Sequence, residues 1–149
     1  MILCVDNHFI NLTMQRMVLE MAGYKGEIKC FQDSTEAIKF IKTEMVGLAK
    51  EGRLIDMIIS DVSLPRIDGL QMFRQIDAFI KQAGENLKRP ILFMYAPFSR
   101  SELSSEIKSL NIEYFVGKPL DQKFLKQVLQ QHGLVLVSQK DQIVEQKLK

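Results

Sequence analysis

Asp56-Met57-Ile58-Ile59-Ser60-Asp61-Val62-Ser63-Leu64-Pro65-Arg66-Ile67-Asp68-Gly69 is the stretch of this 149-residue chain that decides how the rest is read. Met57-Ile58-Ile59 is a short apolar run without polar alternation, which suits a strand covered on both faces. The run ends at a carboxylate, Asp61, and Pro65 and Gly69 then mark a turn. Leu70, Phe73, Ile76 and Ile80 follow at the spacing of one helix face. Strand, acidic loop and helix form one βα unit.

The same alternation runs outward in both directions. Ile2-Val5, Ile28-Phe31, Ile91-Tyr95 and Tyr114-Val116 are the other apolar runs. Between them lie helical stripes: Ile10, Met14, Met17, Val18 and Met21, ending near Gly23; then Ile38, Ile41, Met45 and Leu48 behind a capping-box-like Asp33-Ser34-Thr35-Glu36. Leu103, Ile107 and Leu110 make a short stripe behind the cap candidate Ser101, and Phe124, Leu125, Val128 and Leu129 one behind Asp121. A βα unit repeated five times implies right-handed βαβ crossovers and a parallel sheet between two helical layers. Residues 48–54 and 83–90 read as surface connections. The domain is expected to span 1–132. Residues 133–149 are an extension, with 133–137 either a strand or a packed linker and 138–149 either a helix or a tail.

Composition narrows the class. The chain is 46% hydrophobic and carries 20 Lys plus Arg against 18 Asp plus Glu, so no polyanionic partner is implied. The basic residues are scattered, which argues against direct nucleic-acid binding. No apolar run reaches the ~18 residues of a membrane span, and the start lacks the form of a signal peptide. The expected location is cytoplasmic. Cys4 and Cys30 have no zinc-ligand spacing and read as small core residues. The eight methionines, mostly on helix faces, read as core packing. His8 and His132 read as solvent-side residues.

In an open α/β sheet, function collects beyond the carboxyl ends of the strands. There this chain places Asp6 and Asn7, Asp61, Tyr95, and Lys118 with Pro119. Two carboxylates held close repel one another, and a hard divalent cation such as magnesium relieves the repulsion through oxygen ligands. A lysine opposite meets a phosphoryl group as a point charge. The chemistry suggested is attack of a carboxylate on phosphorus. No GxGxxG or GxxxxGK loop follows any strand, so nucleotide or flavin binding finds no phosphate cradle.

On these residues the chain resembles the receiver domain of two-component response regulators over roughly 1–132. Asp6 with Asn11, the Asp61–Gly69 segment and Lys118-Pro119 carry the resemblance, in order, each after an expected strand. It implies a flavodoxin-like, doubly wound sheet of five parallel strands in the order 2-1-3-4-5, flanked by five helices. It also implies that Asp61 takes a phosphoryl group from a histidine kinase or histidine phosphotransfer protein. Asp6, Asp61 and the Ser63 carbonyl would hold Mg2+, Lys118 would contact the phosphate, and the Lys118–Pro119 bond would be cis. Such a module turns over no foreign substrate, and a homodimer is compatible with it. A phosphatase-like enzyme would need an acid–base aspartate where Ser63 stands.

Three residues depart from the family pattern. Asn7 stands where a second acid is usual, so magnesium binding is expected to be weak. Tyr95 stands at the switch position, where a short hydroxyl normally ends strand 4. A partly exposed ring is expected there, packing in the pocket or covering it. Phe115 replaces a switch aromatic that could hydrogen-bond. The alternative is therefore a degenerate receiver, acting as a phosphorylation-independent interaction module.

Overall fold

The computed structural model describes residues 1–84, 87–96 and 104–136. Ten elements alternate: β1 (Ile2–Val5), α1 (Phe9–Met21), β2 (Ile28–Phe31), α2 (Ser34–Lys50), β3 (Met57–Asp61), α3 (Gly69–Ala83), β4 (Ile91–Ala96), α4 (Ser104–Ser109), β5 (Tyr114–Gly117) and α5 (Gln122–Gln131). The strands form one parallel sheet in the order β2-β1-β3-β4-β5, the doubly wound, flavodoxin-like arrangement expected. Strand β1, all four residues buried, sits between β2 and β3.

Alternate strand residues feed two cores. Leu3, Val5, Ile58, Leu92 and Met94 pack against α2 and α3, with Ile107 of α4 on the same side. Ile2, Cys4, Met57, Ile59, Phe93 and Tyr95 face α1 and α5. Burying both faces removes the polar alternation that a half-exposed strand would show.

Several expectations need adjustment. Helix α2 continues to Lys50, so residues 48–50 are helical rather than part of a connection. Asp33 caps α2 by accepting from Thr35 N, whereas the reciprocal capping box forms at α3, between Asp68 and Gln71. After α5, Leu134 packs against the core and Val135 is buried, while Gly133 and Leu136 are exposed; residues 133–136 form no strand. The expectations for Ser101, Leu103 and 137–149 lie outside the described residues.

The largest correction concerns α1. Its buried positions are Leu12, Gln15 and Leu19. Four of the five residues of the stripe read as core are on the outside instead: Ile10 is 72% exposed, Met14 56%, Met17 54% and Met21 67%, whereas Val18 is partly buried and packs against the core as expected. The helix is apolar on two sides, and the inward side contains a glutamine that periodicity alone treats as an outward residue.

Candidate functional site

The site is assembled by strand ends. Val5 pairs with Ser60 in the β1–β3 register, so the next residues, Asp6 and Asp61, leave adjacent strands side by side. Asp61 in turn pairs with Tyr95 of β4. Lys118 follows β5, held beside β4 by its N–H donating to the Ala96 carbonyl at 2.7 Å. The Lys118–Pro119 peptide bond is cis.

Asp61 is 1% exposed and its charge is answered from two sides. Lys118 Nζ lies 2.8 Å from Oδ2, and Ser63 N–H donates to Oδ1 at 3.1 Å. Its backbone is held closely as well. Gly69 N–H donates to the Val62 carbonyl at 2.9 Å, and a Cβ on Gly69 would lie 2.3 Å from the Asp61 carbonyl oxygen. Only glycine fits at the start of α3, which is the physical reason for the Asp68-Gly69 pair in the deciding stretch.

Asp6 is fully buried and more heavily engaged. His8 N–H donates to Oδ1 at 2.8 Å, with the His8 ring Nδ1 3.3 Å from the same oxygen. Asn11 Nδ2 donates to Oδ2 at 3.2 Å, and the Tyr95 hydroxyl donates to that oxygen too. Gln15 Nε2 donates to the Tyr95 hydroxyl oxygen, completing a chain from α1 through β4 to β1. Asp6 caps no helix: the N-cap of α1 is His8.

Tyr95 is therefore neither a lid nor partly exposed. It is 2% exposed, and burial together with the bond to Asp6 pushes its phenol far above the ordinary range. The Lys118 ammonium sits 5.2 Å from the centre of its ring. Asn7 is exposed and lines a surface hollow together with Lys118. Phe115 packs into the α2–α3 core. His8 and His132 are exposed, as expected, yet both have partners: His132 Nε2 lies 2.7 Å from the Tyr114 hydroxyl.

Gln15 and His8 are the site residues that sequence reasoning missed. Gln15 had a signal, an amide three residues after one buried leucine and four before another. His8 had none, because its main contribution is a backbone N–H.

The donor set contains hard oxygens, the kind that Mg2+ takes. Two carboxylates stand at adjacent strand ends, and among the described residues no group of three or more acidic, histidine or cysteine side chains could hold a metal ion. The residues fit magnesium in kind, with one charge fewer than a three-acid site.

The sequence and structural comparisons agree with this geometry. A family model for the response regulator receiver domain matches residues 2–130. The chain belongs to the response regulator receiver domain family of two-component signalling. It is similar to Probable histidine kinase 6 of Oryza sativa subsp. japonica, with 27% identity across 86% of this chain and 14% of that protein. Sensor protein GacS of Pseudomonas syringae pv. syringae is 26% identical across 91% of this chain and 14% of its own length. The chain thus spans about one seventh of these curated relatives.

Among solved structures, the receiver domain of the histidine kinase CKI1 from Arabidopsis thaliana, complexed with Mg2+, superposes with a TM-score of 0.74 at 23% identity, covering 87% of this chain and 89% of that one. The Vibrio cholerae chemotaxis protein CheY4 gives 0.66 at 25% identity, covering 87% and 95%.

Proposed function

We propose that the domain is a phospho-accepting receiver in which Asp61 takes a phosphoryl group from a histidine kinase or histidine phosphotransfer protein. The observation that carries this reading is the placement of Asp61: a buried carboxylate at a strand end, beside a second carboxylate and in contact with Lys118. A carboxylate oxygen of Asp61 attacks phosphorus, the P–N bond to the donor imidazole breaks, and the imidazole leaves. Lys118 shifts from the carboxylate to a phosphoryl oxygen and offsets the charge that arrives. Asp6, Asp61 and the Ser63 carbonyl, with Asn7 beside them, would hold Mg2+, which when bound neutralises charge on the phosphoryl oxygens. The module turns over no foreign substrate; its chemistry is acceptance and loss of its own phosphoryl group.

The donor's approach is supported by α1. Hollows beside Lys118 are lined by Ile10, Asn11 and Met14, and the exposed apolar stripe continues from there to Met17 and Met21. Contiguous exposed apolar side chains next to a reaction centre suit a protein partner. Transfer of label from a phosphorylated histidine phosphotransfer protein tests this: wild type should accept it and Asp61→Asn should not.

A second reading has its own observation. Asp6 already accepts from His8, Asn11 and Tyr95, so a metal must compete for oxygens that are in use. A receiver that binds magnesium poorly and accepts phosphate slowly would serve as an interaction module through the same α1 face. Donor transfer equal in rate to that of a three-acid receiver would reject it.

A further inference from the structure

Cys4 and Cys30 face each other across the sheet edge. The parallel register of β1 and β2 pairs them directly, and neighbouring strands stand about 4.8 Å apart. That separation falls within the ~4.4–6.8 Å between Cα atoms that a disulfide spans. Cys4 is fully buried, whereas Cys30, on the edge strand β2, is half-buried, and both are free thiols. Their surroundings differ in charge. Arg16 of α1 donates from Nη2 to Cys30 Sγ at 3.6 Å and anchors to the Ile28 carbonyl at 3.1 Å. The groups acting on the Cys30 thiol are Cys4 from β1 and Arg16 from α1. The Cys4 S–H bond and the guanidinium hold Cys30 below the usual thiol range, against the opposing effect of burial. Neither cysteine takes part in the acceptor chemistry above.

We propose that Cys4 and Cys30 form an oxidisable dithiol, a modification site for hydroperoxides in which Cys30 reacts first and Cys4 resolves. The Cys30 thiolate attacks one peroxide oxygen; an S–O bond forms, the O–O bond breaks, and the departing hydroxide takes up a proton as water. Sulfur is oxidised by two electrons and the peroxide is reduced. Cys4 sulfur then displaces the sulfenic hydroxyl, giving the disulfide and a second water, with the Cys4 proton leaving on that water. Only Cys30 needs to meet the oxidant, which matches its position at the edge. The resulting bond would clip β2 to β1 two residues before Asp6.

The test uses the reduced full chain, dilute hydrogen peroxide and intact mass after blocking remaining thiols with maleimide. Wild type should lose two hydrogens and both free thiols. Cys4→Ala should stop at one added oxygen that dimedone traps, and Cys30→Ser should stay unmodified at the same dose. At pH 6, Cys30 in the folded chain should react with iodoacetamide on the order of tenfold faster than in urea, the thiolate gain outweighing its lower nucleophilicity. Arg16→Ala, on the surface of α1, should move the midpoint of that pH profile upward. Wild type stopping at one added oxygen, or Cys30 reacting no faster folded than unfolded, would overturn the proposal. If either cysteine variant fails to fold by circular dichroism, the wild-type mass and the Arg16→Ala profile still decide.

Discussion

The Tyr95 hydroxyl donates to Asp6 Oδ2 across an intervening strand. Tyr95 is register-paired with Asp61 on β3, yet its ring reaches one strand further, to the end of β1. A short hydroxyl at the same place could not span that distance. The residue that departs most from the family pattern therefore ties down the acid it was expected only to neighbour.

Tyr95→Phe should separate the hydroxyl from the ring. It removes the donor to Asp6 and the acceptor for the buried Gln15 amide, at a cost of about 1–3 kcal/mol in stability. It also removes one of the two donors on Asp6 Oδ2, leaving Asn11 alone there, so Mg2+ should bind more tightly. Urea denaturation and a magnesium titration of the same protein check both signs. Tyr95→Thr removes a 2% exposed ring and opens a cavity, with an expected loss of about 3 kcal/mol or more, so it is a poor test of function.

Asn7→Asp adds a carboxylate beside the proposed metal ligands. One added charge at a partly exposed site next to a divalent ion is worth about 1–2 kcal/mol, roughly tenfold in affinity. Calorimetric titration with Mg2+ should show that tightening, while an unchanged or weaker affinity would place Asn7 outside the site.

Gly69→Ala tests the close approach of α3 to Asp61. The new Cβ would meet backbone, the Asp61 carbonyl oxygen, which has no rotamer to move. Overpacking of this kind costs about 1–3 kcal/mol. Thermal unfolding should show a lower Tm, and amide shifts should move at residues 61–69.

The α1 stripe gives a prediction with two arms. Met14→Ser together with Met17→Ser changes exposed side chains and should alter stability by no more than about 0.5 kcal/mol each. Transfer from a phosphorylated protein donor should fall about tenfold, as for loss of interface contacts worth more than 1 kcal/mol. Reaction with a small phosphodonor should be unchanged. Equal losses in both assays would mean that the stripe is not the docking face.

The fold was legible because buried parallel strands are short, apolar and continuous: Ile2–Val5 and Ile28–Phe31 are bounded as the sequence suggests. Asp61, Lys118 and Asp6 were legible because each ends such a run. The orientation of α1 was not, since a helix with apolar residues on two sides has no unique inward stripe, and an exposed apolar face mimics a core face. The Gln15–Tyr95–Asp6 chain was hidden for a different reason. It links residues separated by 80 and 89 positions, and nothing local in either segment announces the partner.

Asp61 is the proposed phosphoacceptor. The most direct test of that role is incubation with acetyl phosphate and saturating Mg2+, followed by intact mass and peptide mapping. One phosphoryl adduct is expected, on Asp61, labile to hydroxylamine as an acyl phosphate is, and absent from Asp61→Asn. No adduct under these conditions, or an adduct mapped to another residue, would contradict that role.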